Sequence, residues 1–197
     1  MMIVISNPTE IVNEVSIINS LFEEGMELFH IRKPNYSIEK LRSFLLAIHS
    51  NYYSKLVLHQ HHELTEEFQI KKVHFTEKDR LNKIPDKFQK SVRFLSTSVH
   101  SIEDFNGLPN VYNYAFLSPI YSSISKQNYV PTKNAFEEIK KRTNHHTKLI
   151  ALGGISVENI EEVLHNDFDD YALLGAIWNT KNPIENFKKC QTIAQSF

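Results

Sequence analysis

Short apolar runs alternate with amphipathic segments from one end of the chain to the other. Residues 2–6 form the first run, closed by Asn7-Pro8; residues 9–24 then carry Ile11, Val15, Ile18, Leu21 and Phe22 at helical spacing, with Gly25 closing the helix. Residues 26–32 are the second run, and residues 37–49 repeat the helical spacing with Leu41, Phe44, Leu45 and Ile48. The third run, 55–60, precedes a short helical segment, and the fourth, 72–76, precedes a weak one at 81–89. The fifth run, 92–99, leads to a helical turn capped by Ser101 with Asp104 three residues on. The sixth, 114–121, is followed by a helix over 132–142. The seventh is Leu149 to Leu152, followed by Gly153-Gly154 and a helix over 157–165 with Ser156 as its N-cap. The eighth, 171–177, precedes a final helix that Pro183 opens and that runs to Ala194.

Continuous apolar runs, rather than alternating ones, mark strands covered on both faces, as in parallel sheets. Eight strand-then-helix units with no break in composition predict one α/β domain over residues 1–197, a single compact (β/α)8 TIM barrel. An open doubly wound sheet is the competing arrangement. The chain has 197 residues, against about 250 in a typical barrel, so the helices after strands three, four and five are expected to be stunted.

Charge narrows the partners. With 22 basic and 23 acidic residues the net charge is −1, which offers nothing electrostatic to nucleic acid or an anionic membrane. The only cysteine, Cys190, excludes an internal disulfide and fits a reducing cytoplasm. The amino terminus lacks the basic segment of a signal peptide, and no apolar run approaches a membrane span. A cytoplasmic protein is expected; the sequence leaves a homo-oligomer open.

Barrel enzymes build their sites at the carboxyl ends of the strands. Those ends here carry His30, Arg32, Lys33, His59, Gln60, Asp79, Ser98, His100, Gly153, Gly154 and Gly175, with the loop Ser118 to Lys126 after the sixth strand. Arginine forks, hydroxyls and glycine backbone donors together suit phosphate esters. Gly153-Gly154 between a strand and a helix lets backbone N–H groups approach an anion, although a plain tight turn would need the same residues. His59, His61 and His62 cluster in sequence, yet no acidic or cysteine partner stands at ligand spacing and adjacent side chains point apart, so metal chelation is not expected there.

Six segments carry a family resemblance in order. They are His30-Ile31-Arg32; Val73-His74-Phe75 with Asp79; Thr97 to Ser101; Ser118-Pro119-Ile120-Tyr121 through Lys126; Ala151 to Ile155 with Asn159; and Leu174 to Ile177. The chain resembles the thiamine phosphate synthase and TenI superfamily, (β/α)8 barrels that act on the thiazole phosphate of thiamine biosynthesis. The resemblance implies that Gly153, Gly154 and Gly175 hold the thiazole phosphate, with Ser123 and Ser125 where the family has threonines. It implies that Arg32 and Lys126 neutralise a diphosphate leaving group, that Asp79 binds its Mg2+, and that Ser98 contacts the aminopyrimidine. The implied reaction couples hydroxymethylpyrimidine diphosphate to thiazole phosphate.

Departures from the pattern bear on that reaction. The family's lysine two residues after the arginine is here Pro34, with Lys33 one position early and pointing away. The family's Asn-Asp after strand three is His59-Gln60, so Mg2+ loses one carboxylate. Thr76 and Ser118 stand where the family has glycines. The resemblance therefore also admits a TenI-type thiazole tautomerase, metal-free, with His100 as its base, and a non-catalytic binder of thiazole phosphate.

Overall fold

The computed structural model describes residues 2–81, 94–121 and 134–196. Eight parallel strands close into a barrel in sequence order: β1 Met2–Ile5, β2 Leu28–Ile31, β3 Leu56–Leu58, β4 Lys72–Phe75, β5 Phe94–Val99, β6 Tyr114–Leu117, β7 Lys148–Leu152 and β8 Asp170–Leu173. Pairing of β1 with β8 closes the ring, Met2 standing opposite Tyr171 and Val4 opposite Leu173. The open-sheet alternative is thereby excluded. Between the strands, the described residues place helices α1 Glu14–Glu23, α2 Ile38–Ala47, α3 Leu64–Glu67, α4 Glu77–Leu81, α5 Ile102–Asn106, α6 Ala135–Glu138, α7 Ile160–Leu164, α8 Gly175–Trp178 and α9 Pro183–Ala194.

The long helices follow the sequence closely. Ser37 caps α2 by accepting from the Lys40 amide, and Ser101 caps α5 by accepting from Asp104. Gly25, at φ 94°, follows α1; its amide reaches the Phe22 carbonyl and that of Met26 reaches Leu21, a Schellman closure. Several expected boundaries move. The first helix begins at Glu14 rather than residue 9. The eighth strand stops at Leu173, because Gly175–Trp178 turns helical and Trp178 donates from its indole N–H to the Ile5 carbonyl at 2.7 Å. The sixth strand stops at Leu117, where Ser118-Pro119 removes a ladder donor.

Two apolar cores result. The larger lies between strands and helices and includes Phe29, Leu41, Leu58 and Phe187. The smaller fills the barrel, with Ile3, Ile5, Leu28, Val57, Tyr114, Phe116, Ile150 and Ala172. Among the described residues no helix is long and apolar enough to cross a membrane.

Candidate functional site

The inner face of the barrel is not apolar all round. On β2, β4, β5, β6 and just past β3 it carries His30, His74, Ser96, Ser98, Tyr114 and His59. His30 Nδ1 lies 2.9 Å from His59 Nε2, and His30 Nε2 lies 2.5 Å from the Tyr114 hydroxyl. His74 stacks on His59 with ring centroids 4.1 Å apart, and its two nitrogens meet Ser96 Oγ at 2.9 Å and Ser98 Oγ at 3.0 Å. Ser96 donates to the Val73 carbonyl at 3.3 Å, so its oxygen accepts from His74 Nδ1–H, leaving the His74 Nε2 lone pair facing Ser98. Burial holds His30 and His59 well below the usual imidazole range, and the positive charges of neighbouring groups, Arg32 among them, add to this for His59. His74 is pushed down to about 3 by burial, then by His62 and Arg32. All three imidazoles are therefore neutral at pH 7.

Arg32 sits at the exit of β2 with its backbone held by Ser6, whose hydroxyl accepts from the Arg32 amide at 2.8 Å and donates to its carbonyl at 3.1 Å. The side chain is exposed and has no hydrogen-bond or ion-pair partner among the described residues, while its charge is felt by His59 and His74. Lys33 points the other way, as the sequence led us to expect. It is fully buried, 2.5 Å from Glu14 and 2.9 Å from the Thr9 carbonyl, over the rings of Tyr36 and Phe44.

The glycine turn after β7 is confirmed in its backbone. Gly153 and Gly154 have φ of 103° and 69°, conformations that side-chain-bearing residues resist. A Cβ on Gly153 would come within 3.0 Å of Pro119 Cα. That closeness lets the start of the sixth loop zip onto the turn: the Ile120 amide donates to the Leu152 carbonyl at 3.0 Å and Tyr121 to that of Gly153 at 3.1 Å. The helix after it is a correction. Ser156 bonds the Glu158 carboxylate instead of capping, Asn159 bridges the Ser156 amide and the Gly154 carbonyl, and α7 begins only at Ile160. Gly175 opens α8 on the neighbouring strand.

Asp79 is exposed, and its Oδ2 accepts from the Thr76 hydroxyl at 2.5 Å and the Thr76 amide at 3.2 Å, capping α4. Gln60 has a buried Nε2 with no partner among the described residues. His100 is exposed; its Nδ1–H donates to the Ser118 carbonyl at 2.7 Å, and its Nε2 lies 3.8 Å from Glu77. Thus Arg32 and Ser98 converge on the imidazole sector, and His100 and Gly153 on the first residues of the sixth loop. Ser123, Ser125 and Lys126 lie outside the described residues. His61 and His62 turn to the carbonyls of Tyr36 and Leu58, so the sequence cluster disperses. The three-strand grouping of His30, His59 and His74 was missed from sequence, because only barrel register brings positions 29 and 15 residues apart side by side.

Comparison with known proteins identifies the family and the fold. The family model for thiamine monophosphate synthase (TMP-TENI) matches residues 2–183. The thiamine-phosphate synthase of Staphylococcus saprophyticus is 24% identical over 179 residues, covering 85% of this chain and 82% of that protein. The thiamine phosphate pyrophosphorylase of Bacteroides thetaiotaomicron is 31% identical, with TM-score 0.79, covering 98% of this chain and 97% of its own. That of Pyrococcus furiosus, at 15% identity and TM-score 0.76, shares the fold over 99% of this chain and 95% of its own. With an eight-stranded barrel, a glycine turn after β7 and a family match over nearly its whole length, this chain belongs to the thiamine monophosphate synthase family.

Proposed function

We propose that the chain is a thiamine-phosphate synthase, working as one barrel domain over residues 1–197 in the cytoplasm. The observation that carries this is the pairing of two anion-handling features at one mouth: the Gly153-Gly154 turn and the exposed Arg32 guanidinium, which has no partner among the described residues. The phosphate of the thiazole lies against the amides of Gly153, Gly154 and Gly175, with Ser123 and Ser125 as hydroxyl donors. Ser98 contacts the aminopyrimidine. The thiazole ring nitrogen then attacks the pyrimidine methylene carbon as its bond to the diphosphate oxygen breaks. The bonding pair leaves with diphosphate, and the nitrogen becomes the thiazolium cation of thiamine phosphate. No proton need move, so the residues serve by positioning and by charge, Arg32 and Lys126 taking up the negative charge of the departing diphosphate.

Mg2+ fits a substrate-carried role. This ion is commonly held by one or two carboxylates plus substrate phosphates, and Asp79, with one oxygen already committed to Thr76, offers the remaining one. The amide of Gln60, its donor side without a partner among the described residues, suits a phosphate oxygen better than a cation. When bound, Mg2+ supplies charge neutralisation to the diphosphate. Accordingly Mg2+ should bind weakly to the free protein, and Gln60→Asp should tighten it and raise coupling. Calorimetry showing tight Mg2+ binding to the unaltered chain would contradict that.

The test of the whole assignment is an assay with both substrates, with and without Mg2+. Magnesium-dependent formation of thiamine phosphate and diphosphate is expected. Gly154→Asp should abolish thiazole phosphate binding, since a carboxylate would lie where the phosphate must sit, while Lys126→Ala should keep that affinity within about tenfold and suppress coupling. No coupling, together with metal-free interconversion of thiazole tautomers that His100→Ala removes, would move the chain to the tautomerase branch. Unchanged binding in Gly154→Asp would mean that the glycine turn is not the phosphate site. A homo-oligomer would show in the solution mass of the same preparation.

A further inference from the structure

The imidazoles of His30, His59 and His74 take no part in the coupling just described. One nitrogen of each lies within 4.8 Å of the others, on β2, just past β3 and on β4; His59 and His74 stack, so a ring must turn for both to face one ion. We propose that His30, His59 and His74 form a tris-imidazole site for a borderline divalent transition metal, Zn2+ foremost, at the floor of the barrel mouth.

Three features support the site. The first is donor availability. His74 Nδ1 is committed to Ser96, which hands its own proton to the Val73 carbonyl, so Nε2 carries the lone pair, held by the Ser98 hydroxyl at 3.0 Å until an ion displaces that contact. The second is the contact between His30 Nδ1 and His59 Nε2, 2.9 Å apart with one proton between them. A metal taking that proton's place needs the nitrogens only slightly farther apart, about 3.3 Å for tetrahedral geometry at Zn–N of about 2.0–2.1 Å. The one displaced proton moves to the far nitrogen of its own ring, so that His30 Nε2–H donates to the Tyr114 hydroxyl, 2.5 Å away, and His59 carries its proton on Nδ1. The third is outer support: Tyr114 behind His30 and Ser96 behind His74 fix ring orientation, as partners of metal-bound imidazoles do.

Chemistry selects the metal. Three neutral nitrogens suit Zn2+, Co2+, Ni2+ or Cu2+ and not Mg2+, which requires hard oxygen ligands. None of the three ligands is anionic, so the ion keeps its double charge, and Arg32 adds to the positive potential. The fourth ligand, on the side of Ser98, is therefore an anionic oxygen: hydroxide or a phosphate oxygen.

The inference is independent of the coupling assignment, and its test reads metal rather than turnover. Metal-stripped chain is titrated with Co2+ as the spectroscopic probe, then with Zn2+. One equivalent of Co2+ should give the intense visible bands of four-coordinate cobalt, displaced stoichiometrically by Zn2+ and untouched by excess Mg2+. His59→Asn and His74→Gln should each weaken binding at least about 100-fold, while His61→Gln with His62→Gln leaves it unchanged. X-ray absorption on the unaltered zinc-loaded chain covers the case in which a variant does not fold: it should count three imidazoles at about 2.0 Å. Absent or weak six-coordinate bands, full affinity in His59→Asn, or a zinc shell with fewer than three imidazoles would overturn the site.

Discussion

At pH 5 the metal-free chain is expected to be markedly less stable than at pH 7.5, with His74 alone contributing about 2 kcal/mol of the loss. His30, His59 and His74 stay neutral in the fold because burial holds their pKa values far below that of an exposed imidazole, to about 3 for His74. In the unfolded chain the same groups titrate near 6.5, so between that value and the folded one the unfolded state binds more protons. Stability therefore falls as pH falls through this window, by about 2 kcal/mol for His74 at pH 5 and in the same direction for His30 and His59. Glu14 and Asp170 are raised by burial and work in the opposite sense, between their ordinary carboxylate values and the raised ones, so they offset part of this loss. Urea denaturation at pH 7.5, 6 and 5 measures the effect, and His74→Gln should flatten the profile by about 2 kcal/mol at pH 5. A flat profile would mean that water reaches the imidazoles in the folded protein.

The second large effect belongs to a residue that faces away from the mouth. Lys33→Met should cost about 3–5 kcal/mol at pH 7.5, because it strands the Glu14 carboxylate, 4% exposed, without its cation. Even with Lys33 present, burial outweighs the pairing and holds the Glu14 carboxyl above its usual range, and one of its oxygens has no partner among the described residues. Glu14 can escape by taking up a proton, so the loss should shrink toward pH 5. Replacing both partners, Lys33→Met with Glu14→Leu, should recover most of the stability, and thiazole phosphate binding should be unaffected throughout. A single variant that costs under 1 kcal/mol, or a double variant no better than the single, would show that the pair is not the desolvated bridge described.

The barrel was legible because its signals are local. Eight doubly covered strands write continuous apolar runs, and α2, α5 and α9 carry their starts in Ser37, Ser101 and Pro183. The helix after β7 came out shorter than its periodicity suggested, since Asn159 spends its side chain folding the preceding turn back on Gly154. Gly153-Gly154 was readable for the same local reason, two positive φ angles that demand glycine. His100 was found, but its anchoring on Ser118 depends on a neighbouring strand. His59 was grouped with His61 and His62 because sequence shows adjacency along the chain, whereas its partners, His30 and His74, are adjacent only across the sheet. Lys33 could be placed facing away, but nothing in the sequence revealed that Glu14 would be its counter-ion.

The seam between Gly153 and Pro119 limits how this barrel can be rebuilt. Barrel enzymes are commonly regarded as interchangeable loops on a fixed frame, each exchangeable alone. Here the sixth and seventh loops share two backbone hydrogen bonds and a contact that leaves no room for one methyl group. They form one inheritable unit: a graft of either without the other would import a loop whose counterpart no longer matches it. Diversification of substrate choice on this scaffold, natural or designed, must move the two together.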